Sequence, residues 1–210
     1  SASLRLNGYA SNAGNYETVS GIKPMTEYST TDYTAILGTL LSDGSKLEFN
    51  YTNNRQDKVG YPGLTMDIVY SYTDMYTLKY HRVTPFGMFS SMNVELFNTD
   101  IDHLMDNVIL RGNTGNGVMS WPTASDTYGG RIIGTIGSDI RAGIDYEHNT
   151  KDAEQNMVMS GMNVFMTYLW PGVETEKLGL FFEQDLNNIS YGLRYDQVEL
   201  RRLQGELNIV

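Results

Sequence analysis

The strongest constraint on the fold is an alternation of apolar and polar residues that recurs along the chain. Its clearest example is the series Leu47, Phe49 and Tyr51, which alternates with Lys46 and Glu48. Successive side chains of a β-strand point to opposite faces, so a period of two predicts a strand with one apolar face. The 3.6-residue period of an amphipathic helix is nearly absent. The sequence therefore predicts an all-β fold.

Turn signals separate the alternating segments. Asp43-Gly44 lies between two of them and is a strong hairpin signal. Strands are predicted at about residues 3–11, 31–41, 45–52, 66–82, 88–102, 126–136, 139–148, 177–185 and 188–199. Short turns are predicted near 43, 86, 138 and 186, and long loops near 12–30, 53–66, 103–125 and 150–176.

The length and spacing of these strands favour a membrane barrel. About nine to eleven residues cross a bilayer at a tilt, whereas strands of soluble sheets average about five or six. Short turns at one end and long loops at the other are typical of outer-membrane barrels. We therefore expect residues 1–210 to form one antiparallel transmembrane β-barrel segment of about 9–10 long strands. A half-buried sheet of a soluble protein would alternate in the same way.

Composition narrows the classes of function that the chain can have. The chain has 15 Tyr and 7 Phe, which fits a wall with an apolar side and wet ends. A formal charge of −10 argues against a nucleic-acid partner. The absence of cysteine excludes a thiolate site, and no Gly-x-Ser-x-Gly or phosphate loop is present, so we do not expect an enzyme. No signal peptide precedes Ser1, and we expect a mature fragment or a piece of a larger protein.

A His-x-Met motif, formed by His103 and Met105, follows a predicted strand. A neutral imidazole and a soft thioether together suit copper, particularly Cu(I). Met119 lies downstream in the same predicted loop and is a third candidate metal ligand. Alternatively, Met105 packs on a neighbour at a strand end and His103 is solvated.

The chain contains further methionines, histidines and aspartates of types that can bind metals. A methionine cluster could collect a soft metal or could fill gaps in a hairpin; its members are Met157, Met159, Met162 and Met166. The remaining histidines, His81 and His148, are interpreted as solvated wall residues. Three aspartates near the motif could concentrate cations or form a solvated rim; they are Asp100, Asp102 and Asp106.

Two longer segments resemble the barrel of TonB-dependent copper receptors. They are Asp102-His103-Leu104-Met105-Asp106-Asn107 with Leu110-Arg111, and Met119 to Arg131. Ala142 to His148 and the Gly-x-Phe-x-Glu and Gly-x-Arg-x-Asp patterns after Gly179 continue the resemblance, which covers about residues 30–200. The last two patterns are general to TonB-dependent receptors.

The resemblance implies a Gram-negative outer-membrane barrel of about 22 strands with a plug. It implies that His103 and Met105 supply the barrel's share of a copper site, and that lipid and the TonB energy-coupling complex are partners. The plug and its cysteine ligand have no counterpart in this sequence, which puts transport by this chain alone in doubt. A passive porin-like channel and a β-rich surface binding module with no transport role are the alternatives.

Overall fold

The computed structural model describes residues 1–113, 117–159, 162–186 and 189–202, except for the side chains of 162–168 and 171. These residues form nine strands. The strands are β1 (Ala2–Ala13), β2 (Tyr28–Leu40), β3 (Lys46–Val59), β4 (Asp67–Arg82), β5 (Ser91–Asp106), β6 (Val118–Ile136), β7 (Ile140–Met159), β8 (Met162–Leu186) and β9 (Ile189–Arg202). Among the described residues, no helix is long and apolar enough to cross a membrane.

The nine strands form one antiparallel sheet in chain order, from β1 to β9. Each strand therefore pairs with its sequence neighbours, as in a meander of hairpins. The described connections at one end of the sheet are 41–45, 83–90 and 137–139. The connections 14–27 and 60–66 lie at the other end, together with the described residues 107–113 and 117 of the connection between β5 and β6. We call this the long-connection end. The all-β fold, the antiparallel order and the number of strands confirm the prediction from sequence.

Three of the predicted long loops are too long. The strand β3 continues to Val59, β5 continues to Asp106, and β7 and β8 extend through most of the predicted loop 150–176. The backbone in these extensions is paired across neighbouring strands, which satisfies its hydrogen bonds. In β3 the residues from Asn53 to Lys58 are all polar, so the alternation that marks a half-apolar strand is lost although the strand continues.

One face of the sheet carries a continuous apolar band. In register, Phe49 of β3 lies opposite Leu37 of β2 and Leu78 of β4, and Leu78 lies opposite Leu96 of β5. The band continues across the other strands through Leu4, Ile132, Ile144, Leu180 and Tyr195. All these side chains are exposed. We call this surface the apolar face.

The described part of the chain has almost no hydrophobic core. Met66 and Ala153 are its only buried hydrophobic residues. A soluble sheet of this size would cover its apolar side with a second layer, because contiguous exposed apolar surface promotes association. The apolar face has no second layer within the described residues. The apolar side chains of this face are therefore exposed at the surface of the sheet.

The apolar band ends at a row of aromatic residues. Tyr51 and Tyr76 stack with ring centroids 4.9 Å apart. One row further toward the long-connection end, Asp74 lies opposite Asp100, and Asp100 lies opposite Asp126. Asp74 accepts hydrogen bonds of 2.7 Å from the Tyr51 hydroxyl and the Asn53 amide, and Arg55 donates to it at 2.5 Å. Beyond the aromatic row, polar and charged residues enter this face of the sheet.

The opposite face, which we call the polar face, is lined with ion pairs. These include Lys46–Glu48 at 2.7 Å, Lys79–Glu95 at 3.7 Å, Lys177–Glu147 at 2.7 Å and Arg194–Asp145 at 3.0 Å. Exposed pairs of this kind add little to stability. They do show that this side of the sheet is suited to contact with water.

Candidate metal site

His103 lies on the polar face of β5, near the long-connection end. It is opposite Ser71 of β4 and Thr123 of β6. Its Nε2 atom is buried and has no hydrogen-bond partner among the described residues. The residue lies three positions beyond Asp100, outside the apolar band. Burial lowers the pKa of His103 below its ordinary value of 6.5, against the opposing effect of the Asp102 carboxylate.

Met105 shares this face, because residues two apart on a strand point the same way. In register it lies opposite Trp121 of β6. The Trp121 Nε1 atom is also buried without a hydrogen-bond partner among the described residues. Buried polar atoms are normally satisfied by protein, water or ligand. The two residues with such atoms, His103 and Trp121, are therefore the strand neighbours of Met105 in the register. No local pattern in the sequence indicates that Trp121 lies beside the motif.

Met119 lies on β6, two residues before Trp121, and therefore also on the polar face. Asn107 N–H donates to the Met119 carbonyl at 3.2 Å, which fixes the end of β5 against β6. The candidate ligands are thus on paired strands, and not in the long loop that the sequence predicts for residues 103–125. Met105 and Met119 are diagonal neighbours, about 7–8 Å apart between Cα atoms by sheet geometry.

The methionines of the predicted cluster do not all lie near the candidate ligands. Met157 lies directly opposite Met119 in register, so its thioether adds to the row of methionines on the polar face. Met159 is exposed. The side chains of Met162 and Met166 lie outside the described residues. Met157 is the member that the β-sheet register associates with the candidate site.

The aspartates near the motif have structural partners. Asp106 is buried and its Oδ1 accepts hydrogen bonds from the backbone N–H groups of Val108 and Ile109, at 3.0 and 2.9 Å. Asp102 accepts a 3.3 Å hydrogen bond from the Tyr70 hydroxyl on the other face of the sheet. Asp106 is therefore not part of a simple solvated rim, whereas Asp100 and Asp102 are exposed.

His81 behaves as the sequence predicts. It is exposed on the polar face, near the short-turn end, and its Nδ1 lies 2.5 Å from the Asn93 amide oxygen. It lies 22 positions before His103, at the opposite end of β4 from Ser71. It is therefore remote from the candidate metal ligands and serves as a natural control for them.

An ion pair fixes the connection that follows the candidate ligands. Arg111 donates through Nε and Nη2 to both carboxylate oxygens of Asp67, at 2.6 and 2.7 Å, and to the carbonyls of Leu64 and Tyr61. Asp67 is fully buried. Burial raises the pKa of the Asp67 carboxyl, but hydrogen bonds from Arg111 and from Tyr61 N–H outweigh it, so the pKa lies below its ordinary value.

The strands define the class of fold as an antiparallel β-barrel segment. Among solved structures, the chain is similar to the copper transporter OprC, with a TM-score of 0.76 and 18% sequence identity. The match covers 99% of this chain and 34% of that one, so the chain spans about a third of the transporter's length. At this identity the likeness is one of fold. No protein-family model and no curated protein matches the sequence.

Proposed function

We propose that this chain forms part of the wall of a Gram-negative outer-membrane barrel that takes up copper. The observation that carries the proposal is the setting of His103 beside Met105 on the polar face, with a buried imidazole nitrogen that lacks a protein partner. A neutral imidazole with thioethers is a donor set for Cu(I). The fold likeness to a copper transporter supports the same choice of metal.

The apolar face supports a position in the membrane. Its exposed band runs across all nine strands and ends at the row that contains Tyr51 and Tyr76. An apolar band with aromatic residues at its edge is typical of a barrel wall in lipid. The polar face would then line the interior. A soluble or surface-attached binding module would leave this band in water, which disfavours that alternative.

In this proposal His103, Met105 and Met119 contact copper from the barrel interior. Two or three protein ligands on one wall leave coordination positions open. We propose that a plug domain, outside this chain, supplies the remaining ligands and couples the barrel to the TonB energy-coupling complex. Copper is the transported substrate in this proposal, and the barrel needs no resident cofactor. A passive porin-like channel would need neither the plug nor a defined metal site.

The test is copper binding by the full-length protein. His103→Ala and Met105→Ala should each weaken Cu(I) binding at least about tenfold, measured by competition with a chelator. The double variant should lose little more than either single variant, because both residues act on one ion. Met119→Ala should weaken binding less, since it lies one row further away.

His81→Ala is the matched control, because it removes an exposed imidazole from the same face of the sheet. It should leave Cu(I) affinity unchanged. Full copper retention in the His103→Ala/Met105→Ala variant would show that other residues hold the metal. Copper uptake that is independent of the TonB complex would instead favour the passive channel.

A further inference from the structure

His148 is not the solvated wall residue that the sequence predicts. It lies on β7, on the apolar-face side, in the row just beyond the apolar band. In register it lies opposite Glu176 of β8 and Tyr128 of β6. Glu174 is two residues before Glu176 on the same face. The side chains of His148 and Glu174 are only 13% and 15% exposed, and that of Glu176 is 33% exposed.

The imidazole faces both carboxylates without a hydrogen bond to either. His148 Nδ1 lies 3.5 Å from Glu174 Oε1 and 3.6 Å from Glu176 Oε1. The three atoms lie within 4.8 Å of one another. The Nδ1 atom is buried, and it has no hydrogen-bond partner in the part of the chain that the structure describes. A buried ring nitrogen and two carboxylates that converge in this way need a positive charge between them, either a proton on the ring or a metal ion.

The separations match those of ligands around one metal ion. Zinc bonds to imidazole nitrogen and carboxylate oxygen are about 2.0–2.2 Å long, so two ligand atoms at tetrahedral angles are about 3.4 Å apart. The two observed distances from Nδ1 are 3.5 and 3.6 Å. An ion could therefore contact all three side chains after small movements of the carboxylates.

Further contacts fix the orientation of the His148 imidazole, as is usual for metal ligands. Its ring stacks on Tyr128, with centroids 4.7 Å apart and planes 23° apart. Its other nitrogen, Nε2, lies 3.3 Å from the Thr150 hydroxyl. The ring is thus fixed on two sides, and Nδ1 is left directed toward the carboxylates.

The surrounding charge favours a cation. Glu199 of β9 lies opposite Glu176, and Arg201 lies opposite Glu174. Arg201 pairs with Glu199 at 2.5 Å and approaches the second oxygen of Glu176 at 3.7 Å. Three carboxylates and one guanidinium leave a net negative charge, and Glu176 Oε1 is the oxygen that faces His148. Local negative charge concentrates cations.

We propose that His148, Glu174 and Glu176 form a second metal site, which binds a divalent first-row transition ion on the outward side of the sheet. One imidazole and two carboxylates suit ions such as Zn²⁺ or Cu²⁺, whereas Cu(I) prefers thioethers. The site is on the opposite face from His103 and does not depend on the proposed copper uptake. A bound ion would join β7 to β8 just beyond the apolar band.

The test uses the full-length protein with His103→Ala/Met105→Ala, which removes the proposed copper ligands. Zn²⁺ and Cu²⁺ are titrated separately by calorimetry. Each should bind at this site, and Glu174→Gln and Glu176→Gln should each weaken binding at least about tenfold. Glu147→Gln is the matched control, because Glu147 is adjacent to His148 but lies on the opposite face, paired with Lys177. It should leave binding unchanged.

A zinc X-ray absorption spectrum of the zinc-loaded parent protein gives a second measurement that does not require the glutamate variants to fold. It should show one imidazole and oxygen neighbours, without sulfur. Sulfur neighbours, or equal binding in the parent and in Glu174→Gln/Glu176→Gln, would overturn the proposal. So would a parent protein that binds neither ion.

Discussion

Arg111 donates two parallel hydrogen bonds to the buried carboxylate of Asp67, which lies 44 positions earlier in the sequence. The same guanidinium binds the carbonyls of Leu64 and Tyr61. It therefore joins the connection after β5 to the connection before β4. Bidentate pairs of this kind fix orientation as well as charge. The candidate ligands on β5 and β6 are held at the edge of this fixed region.

We predict that Arg111→Gln destabilises the protein by about 3 kcal/mol, because it leaves a buried charge without its partner. Urea-induced unfolding in lipid measures the free energy. Adding Asp67→Asn should recover part of the loss, since the unpaired charge is then removed. Arg141→Gln is the control, because Arg141 and Glu183 form an exposed pair at 3.2 Å. Its cost should be about 1 kcal/mol or less.

The same pair gives the stability a defined pH dependence. The pKa of Asp67 in the folded protein lies below its ordinary value of 3.8. The contribution of this carboxylate to stability is therefore complete above the ordinary value and is lost as pH falls through the lowered pKa. Asp67→Asn should flatten the pH dependence of stability below pH 4. An unchanged acid profile in that variant would contradict this assignment.

A further prediction concerns the two faces of β3. Phe49 lies in the apolar band, and Glu48 lies on the polar face beside Lys46 and Lys79. If the band contacts lipid, Phe49→Arg should cost roughly 2–4 kcal/mol near the middle of the bilayer. Glu48→Arg should cost far less, because its side chain remains in water. Folding into liposomes measures both, and equal costs would reject this orientation of the wall.

A fourth prediction concerns the two ends of β2. Gly21 lies in the connection before this strand and Gly44 in the turn after it, each with a positive φ, at 78° and 82°. We expect an epitope inserted at Gly21 to be accessible on intact cells. One at Gly44 should be detected only after the cells are opened. Labelling at Gly44 alone would invert the topology and place the candidate copper ligands at the periplasmic end.

The sequence predicts the middle of each strand better than its ends. In β3, Leu47 and Phe49 mark a strand because only one face is apolar. From Asn53 onward both faces are polar, so the pattern disappears while the pairing with β4 continues to Val59. The His103–Met105 motif could be found from the sequence because its two residues are two positions apart on one strand.

Contacts between strands could not be predicted in the same way. The approach of His148 to Glu174 depends on the register of β7 with β8, which contains three irregularities between Lys151 and Val158. A shift of one residue would move each side chain to the other face. The pairing of Met119 with Met157 likewise depends on where β6 begins. Neither relationship has a local signal in the sequence.

The last prediction concerns the pH dependence of copper binding at His103. Copper binds the neutral imidazole, so protons compete with the metal. Burial lowers the pKa of His103 below 6.5, and the Asp102 carboxylate opposes this shift. Thioethers do not titrate in this range, so the imidazole governs the profile. Cu(I) affinity should therefore be retained below pH 6.5 and be lost as pH falls through the lowered pKa.

Asp102→Asn sharpens this prediction, because it removes the one charge that raises the pKa of His103. The pKa should fall further, and the affinity of the variant should persist to a lower pH than that of the parent. Asp100→Asn is the matched control, since Asp100 is an exposed aspartate on the same strand. Chelator competition between pH 7.5 and 5 measures all three proteins. A midpoint at or above 6.5 in the parent, or an upward shift in Asp102→Asn, would show that His103 is not the titrating ligand.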